Sequence, residues 1–130
     1  MGTRSLTKVY DQFNGNLICT MFVHFDGYPT GVGADIKQCL YGAIVGNGFS
    51  GDEPDKFINR MGQVATYLVR NSRIKFEFTG DDTGNFIDYT YHLSFDDGRI
   101  RLDIDSYGSR IYSGLLDEFD AAKVEELESE

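Results

Sequence analysis

The residues that could do chemistry are concentrated in one short loop. Between positions 27 and 33 the chain holds three glycines, a tyrosine and a proline. This composition is poorly suited to a core, but it suits a loop whose backbone must come close to another group. The loop supplies our candidate ligand-binding residues, which are Asp26, Gly27, Tyr28, Gly31 and Gly33.

The spacing of the loop is compatible with an anion site. A helix that begins at Ala34, directly after Gly31 and Gly33, would present free backbone N–H groups and the positive end of its dipole to the loop. Arg4, on the neighbouring first strand, could add a bidentate contact to a phosphate or carboxylate, so Arg4 is a further candidate ligand-binding residue. The loop lacks the spacing of a Walker loop or of a dinucleotide fingerprint.

A structural interpretation of the same residues is favoured over the anion site. Asp26 would cap the turn, Tyr28 would pack the corner, and the glycines would adopt tight backbone angles. Arg4 would then pair internally with Asp26 as a clamp on the loop. In this interpretation the backbone comes close to the rest of the chain and not to a ligand.

Catalysis has few candidates in this chain. His24 and His92 are its two histidines. Each falls on a predicted strand, where a solvated histidine is more common than a general base. Asp103 and Asp105 alternate with arginines along one strand, and cross-strand ion pairing explains that pattern without catalysis. We therefore assign no catalytic residue.

We predict no metal site and no cofactor. A calcium-binding loop is suggested by residues 81–85, which read Asp-Asp-Thr-Gly-Asn. They lack the glutamate that closes an EF-hand loop, so they indicate a turn instead. Cys19 and Cys39 lack the Cys-x-x-Cys spacing of zinc and redox sites. We expect both cysteines to be reduced and mostly buried.

Hydrophobic periodicity predicts two strands, two helices and then a run of strands. An Asn-Gly turn joins the first two strands. The apolar stripe of the first helix extends from Ile36 to Ile44, and that of the second, which starts near Pro54, begins at Phe57. The predicted strands are 5–11, 17–25, 74–79, 86–95, 99–105 and 109–115.

This order of elements predicts an α+β fold. We expect a mainly antiparallel sheet of about five to six strands, two helices packed on one face and a short acidic C-terminal helix. Residues 1–116 should form a single domain, followed by an acidic helix or tail at 117–130. The strand positions expected to face the helices are Leu17, Cys19, Met21, Val23, Tyr89, Tyr91, Leu93, Ile100 and Leu102.

The net charge of −9 is unevenly distributed along the chain. Residues 117–130 carry seven acids against Lys123, and we expect them to form a solvated helix that frays at its end. An acidic surface attracts basic clefts and repels nucleic acid. The predicted partner is therefore a protein with a basic surface, and we expect no direct binding of nucleic acid. A homodimer is a further possibility.

Targeting and membrane signals are weak in this sequence. No run approaches the roughly 18 apolar residues of a membrane span, and the first residues lack the apolar core of a secretory signal. We expect a cytoplasmic protein without membrane contact.

The first third of the chain carries a family resemblance. Gly2-Thr3-Arg4-Ser5-Leu6-Thr7 after Met1, an Asn-Gly hairpin, and Phe25-Asp26-Gly27-Tyr28-Pro29 followed by Gly31-x-Gly33 resemble a family of small bacteriophage and prophage proteins. The family loop often reads Gln-Phe-Asp-Gly-Tyr-Pro-x-Gly-His-Gly, so His24 and Val32 depart from it here. The resemblance covers residues 1–45. It implies a phage-encoded accessory protein of the α+β type in the host cytoplasm, and it implies no mechanism.

Two function classes follow from these residues. The first is a non-enzymatic protein that engages or inhibits a host protein, such as a defence or nucleic-acid enzyme, through an acidic and tyrosine-rich surface. The second is a small-ligand module, a binder of a nucleotide or other anion or a hydrolase, that uses Arg4 and the loop from Gly31 to Gly33. The scarcity of catalytic residues favours the first class.

Overall fold

The computed structural model describes residues 2–46, 56–80 and 87–129. The strands are β1 (Ser5–Tyr10), β2 (Leu17–Val23), β3 (Ile44–Gly46), β4 (Phe57–Asn59), β5 (Glu77–Phe78), β6 (Tyr89–Asp96), β7 (Arg99–Ser106) and β8 (Ser109–Leu115). The α-helices are α1 (Ala34–Leu40), α2 (Arg60–Asn71) and α3 (Ala121–Glu128). A short π-helix at Pro29–Gly33 precedes α1, and a 3-10 turn at Leu116–Glu118 precedes α3.

The main sheet has six strands in the order β5-β2-β1-β6-β7-β8. Its neighbours pair antiparallel except β1 and β6, which are parallel. A parallel pair needs a long crossover, and here the chain between β2 and β6 supplies one that contains α1 and α2. The predicted α+β class with a mainly antiparallel sheet is confirmed.

One face of the sheet packs against the helices, as the alternation of the strands predicts. Tyr91, Leu93 and Leu102 are fully buried in the same cluster as Ile36 of α1 and Leu68 of α2. The strand positions predicted to face the helices are correct with one exception. Leu17 is 46% exposed. The β1–β2 register shifts between Val9 and Tyr10, so the first residue of β2 no longer follows the alternation between the buried and the exposed face of the sheet.

Both predicted helices are too long. The first ends at Leu40, because Tyr41 has a ψ of 132° and forms with Gly42, at a φ of +79°, a turn in which the Ala43 amide donates to the Leu40 carbonyl. Ile44 then begins β3, which pairs in parallel with β4. Phe57 therefore lies in a strand, and α2 begins only at Arg60. Periodicity alone cannot distinguish a strand from a helix in so short an apolar run. The start predicted for the second helix, near residue 54, lies outside the described residues.

The predicted strand at 74–79 is reduced to the two residues of β5. β6 begins at Tyr89, while position 86 lies outside the described residues. The hairpin between β1 and β2 turns at Gly15, which has a φ of +71° as its Asn-Gly signal requires.

The C-terminal segment is part of the packed structure. α3 is present where the sequence predicts a helix, and its Asp120 accepts a hydrogen bond from the Lys123 amide as an N-cap. Phe119 and Val124 belong to the buried core. The expectation of a solvated appendage is therefore wrong, because it counted the acids and overlooked the apolar residues spaced between them.

No helix in the described parts of the chain combines the length and apolarity that a membrane span requires.

Candidate functional site

Helical backbone begins at an earlier residue of the glycine loop than the sequence indicates. The π-helix starts at Pro29 and runs directly into α1, so Gly31 and Gly33 lie inside helical backbone. The Gly31 amide donates to the Tyr28 carbonyl and the Val32 amide to the Asp26 carbonyl, both at 2.8 Å. The amide of Ala34 is also bonded within the turn. The donors that an anion site would need are thus used by the loop itself.

The glycines are required by close approaches within the chain. A Cβ on Gly31 would overlap the carbonyl oxygen of Asp26. A Cβ on Gly27 would lie 2.9 Å from the Cβ of Ser5, and one on Gly33 would lie 3.2 Å from the Tyr91 ring. The backbone comes close to β1 and to the core, as the structural interpretation predicts.

Tyr91 fastens both ends of this loop. Its hydroxyl donates to the Gly27 carbonyl at 2.6 Å, and its ring lies so close to Gly33 that a Cβ added there would be 3.2 Å from it. The side chain is fully buried, and burial raises the pKa of Tyr91 far above its usual value, so the hydroxyl remains a donor. The loop is therefore a rigid joint between the sheet and α1.

The predicted clamp between Arg4 and Asp26 is wrong. The carboxylate of Asp26 is exposed and accepts the Tyr28 hydroxyl at 3.1 Å. No ion pair joins Asp26 to Arg4, both of which the structure describes. The Arg4 backbone is fixed from the other side, because its amide donates to the Asp88 carboxylate and its carbonyl accepts the Asp88 amide, each at 3.0 Å.

A polar network centred on His92 covers the face of the sheet that points away from the helices. The Tyr10 hydroxyl lies 2.7 Å from Nδ1 of His92, and Nε2 lies 2.9 Å from an oxygen of Asp105. Nε of Arg110 donates to the other oxygen at 2.5 Å. Burial raises the pKa of Asp105, but the hydrogen bonds from Arg110 and His92 outweigh it, so the net shift is downward.

This network joins β1, β6, β7 and β8 by side chains. Arg110 lies 3.3 Å from Asp103, which also accepts the Ser113 hydroxyl and lies 3.4 Å from Nε of Arg101. The cross-strand ion pairing expected for Asp103 and Asp105 is confirmed. Both nitrogens of His92 are engaged in this network, so its ring links β6 to β1 and to β7.

Metal ligands do not converge in the described parts of the chain, where no group of His, Cys, Asp or Glu could hold a metal ion. The predicted turn at 81–85 lies outside those parts. Cys19 and Cys39 are unpaired and half-buried. Burial raises the pKa of both thiols, and for Cys39 the nearby Lys56 partly opposes the shift. Both therefore remain protonated, as expected for small apolar residues.

An acidic surface lies where α1 meets the C-terminal segment, and we call it the acidic face (Tyr28, Tyr41, Glu118, Asp120 and Glu125). Tyr41, Glu118 and Asp120 of this face line a hollow of about 790 Å³. A hydrogen bond from Tyr28 to Asp26 raises the pKa of Tyr28, and Glu125 adds to the shift, so the acidic face reaches the glycine loop. The hollow is lined by Thr30, Ala34, Lys37, Gln38, Tyr41, Glu118, Phe119, Asp120, Ala121 and Ala122.

A second surface runs along α2, and we call it the basic groove (Arg60, Gln63, Tyr67, Arg70 and Arg73). Two cavities of about 650 and 570 Å³ form it, and they share Tyr67 and Asn71. A third cavity of about 410 Å³ continues it past Arg73 and Lys75 towards the glycine loop. α1 separates the two surfaces, since Gln38 lines both.

The sequence analysis missed the basic groove. Its signal is the absence of any acid between Asp55 and Glu77, a stretch that holds five of the twelve lysines and arginines. A net charge of −9 hides such a segment, because the acids elsewhere in the chain outnumber it.

No protein-family model, curated protein or solved structure matches this chain. The resemblance of residues 1–45 to a phage family stays a hypothesis.

Proposed function

We propose that this chain is a phage-encoded accessory protein that acts by binding in the host cytoplasm, and that its acidic face engages a basic segment of a host protein. The observation that carries the proposal is the hollow beside α1, where exposed acids and an exposed tyrosine surround a floor of small side chains.

The C-terminal segment is held in place before any partner arrives. One oxygen of Glu128 accepts the Tyr89 hydroxyl at 2.9 Å, and the other accepts the Ser106 hydroxyl at 2.5 Å. Phe119 is fully buried, and its carbonyl accepts a hydrogen bond from Lys37. A surface that is already ordered loses little conformational entropy on binding, which favours affinity.

The hollow suits a lysine or arginine side chain. Its floor includes Ala34 and Ala121, which leave room for an aliphatic stem, and Glu118 and Asp120 are exposed at its rim. The Tyr41 ring is 56% exposed. Lys37 lies 5.6 Å from the centroid of that ring, so the ring already contacts one cation of this chain. Tyrosine beside a pocket is also a typical centre of a protein interface.

The alternative is a small-anion module or hydrolase built on Arg4, Gly31 and Gly33. The geometry supports it less, because the loop amides are bonded internally and Arg4 does not line the cavity beside the loop. His92 does not belong to this loop, because it is hydrogen-bonded to Tyr10 and Asp105 on the face of the sheet that points away from the helices.

The test is binding of a fluorescent ten-residue lysine and arginine peptide, followed by fluorescence anisotropy at low salt. Glu118→Lys and Tyr41→Ala should each weaken binding about tenfold or more, and the loss for Glu118→Lys should shrink as salt rises. Glu77→Lys is the matched control, since it makes the same charge change at an exposed acid on β5.

Equal losses for Glu118→Lys and Glu77→Lys would assign the binding to net charge and overturn a specific acidic face. Crosslinking in host lysate then extends the test to natural partners. Proteins captured by the wild-type chain and by Glu77→Lys, but not by Glu118→Lys, support the proposal. Identical capture by all three chains contradicts it.

A further inference from the structure

We infer that the basic groove along α2 binds the phosphate backbone of a single-stranded nucleic acid. This surface lies on the other side of α1 from the acidic face and does not depend on the function proposed for that face.

The lining of the groove is rich in hydrogen-bond donors and poor in acids. Arg60, Arg70 and Arg73 line its two larger cavities together with the side chains of Gln63 and Asn71. Arginine, glutamine and asparagine are among the residues that contact phosphate and sugar oxygens. Among the described residues that line these two cavities, Asp35 is the one acid. Such a lining favours an anionic ligand.

The arginines of the groove differ from those of the sheet. Arg99, Arg101 and Arg110 each pair with a carboxylate. Within the described residues, Arg60, Arg70 and Arg73 form no such pair. Unpaired guanidinium groups keep their donors available, and each can make a bidentate contact with a phosphate.

The groove is long enough to contact several phosphates, so its length favours a polymer over a ligand with a single phosphate. Arg60 and Arg70 are ten positions apart on α2, so they lie about 15 Å apart along the helix axis. Gln63 and Tyr67 fall between them at helical spacing on the same side. At about 3.4 Å per phosphate in a stacked strand, this length spans roughly four nucleotides.

Aromatic side chains lie beside the cations. Tyr67 and Phe57 are half-buried and line the same cavity as Arg60 and Arg70. Bases of a single strand stack on such rings, whereas aspartate and glutamate side chains have no aromatic face to do so. This pairing of cations with aromatic rings favours a nucleic acid over an acidic protein.

The net charge of the chain does not exclude this ligand. Charges that face water are screened over about 8 Å at physiological salt. α3, which carries Glu125 and Glu126, packs against the π-helix and β8, and no residue of α3 that the structure describes lines the two larger cavities of the groove. The expectation of no direct binding of nucleic acid rests on the acidic surface of residues 117–130, which repels phosphates. It leaves out the stretch between Asp55 and Glu77, which holds no acid.

The experiment measures fluorescence anisotropy of labelled 12-nucleotide oligo(dT) and oligo(U) with the full chain at 50 and 200 mM salt. Binding should weaken with salt at a slope of about −0.7 per phosphate contact. Arg70→Gln and Arg73→Gln should each weaken binding several-fold and reduce that slope. Lys123→Gln is the matched control, because it removes one exposed cation from α3.

Tyr67→Leu separates stacking from charge, since it should weaken binding while leaving the salt slope unchanged. Glu118→Lys should keep oligonucleotide binding, so a failure of the acidic-face proposal does not affect this test. No binding at 50 mM salt, or an equal loss in Lys123→Gln, would overturn the inference. Polyglutamate that competes as well as the oligonucleotides would also overturn it, by indicating an acidic protein ligand.

Discussion

The hydroxyl of Tyr91 donates to the carbonyl oxygen of Gly27 across 2.6 Å, and this bond ties the glycine loop to a central strand of the sheet. The ring of the same side chain packs against Gly33, so one buried residue contacts both ends of the loop. The most conspicuous sequence feature of the chain is therefore part of its core, and the exposed surfaces on either side of α1 are better candidates for function.

Tyr91→Phe removes this hydroxyl and keeps the ring. The Gly27 carbonyl is then buried without its donor, which should cost about 1–3 kcal/mol of unfolding free energy. Urea denaturation followed by circular dichroism measures the loss. Tyr41→Phe, at an exposed ring, should stay within about 0.5 kcal/mol of wild type. Equal stability of Tyr91→Phe and wild type would contradict the role of the bond.

Alkaline pH should unfold the protein through Tyr89 and Tyr91. Burial raises the pKa of both, and the bond from Tyr89 to Glu128 raises the pKa of Tyr89 further. The unfolded chain ionises these tyrosines near pH 10, whereas the folded protein keeps them neutral. Their contribution to stability is therefore complete below about pH 10 and falls above it. Tyr89→Phe and Tyr91→Phe should each flatten the decline in melting temperature between about pH 9.5 and 11.

Gly31 and Gly62 provide opposite expectations for the same substitution. Gly31→Ala places a methyl group against the Asp26 carbonyl, so the loop must open. We expect a loss of more than about 2 kcal/mol. Gly62 lies on the exposed side of α2 with nothing within 4 Å of an added Cβ, so Gly62→Ala should stabilise the protein by about 0.5–1 kcal/mol. Thermal unfolding of both variants checks the contrast, and similar changes in the two would contradict it.

Leu93 and Leu17 test the face assigned to the sheet. Leu93 is fully buried, and Leu93→Ala should cost about 2–5 kcal/mol. Leu17 is 46% exposed at the irregular end of β2, so Leu17→Ala should cost much less. Chemical denaturation measures both. A loss below about 0.5 kcal/mol for Leu93→Ala would show that the assigned face is wrong.

The fold class could be predicted because strand alternation is a local property. Tyr91, Leu93 and Leu102 are placed correctly by period alone. The limits of elements depend on signals that compete with periodicity. α1 ends at a turn formed by Tyr41 and Gly42, and Phe57 joins a strand because β3 is available as a partner. That pairing is made between segments distant in sequence, which a periodic pattern cannot report.

The candidate site was harder to predict than the fold. Asp26 and Arg4 are close in the predicted hairpin, but a charge pair depends on where each side chain points, and Tyr28 takes the Asp26 carboxylate instead. The basic groove was missed for a different reason. Arg60, Arg70 and Arg73 are far enough apart in the sequence to look scattered, and α2 with the segment directly after it places them along one groove.

Phe119 tests whether the C-terminal segment belongs to the core. The ring is fully buried and packs against Tyr112 at a centroid distance of 5.2 Å. Phe119→Ala should cost about 3–5 kcal/mol. Truncation after Leu116 should cost at least as much, because it also removes Val124 and leaves the Ser106 hydroxyl without Glu128. The control is Glu126→Gln, at an exposed position of α3, which should leave the melting temperature nearly unchanged. If the truncated chain unfolds as cooperatively and at the same temperature as the full chain, the segment is an appendage and its acids act without the core.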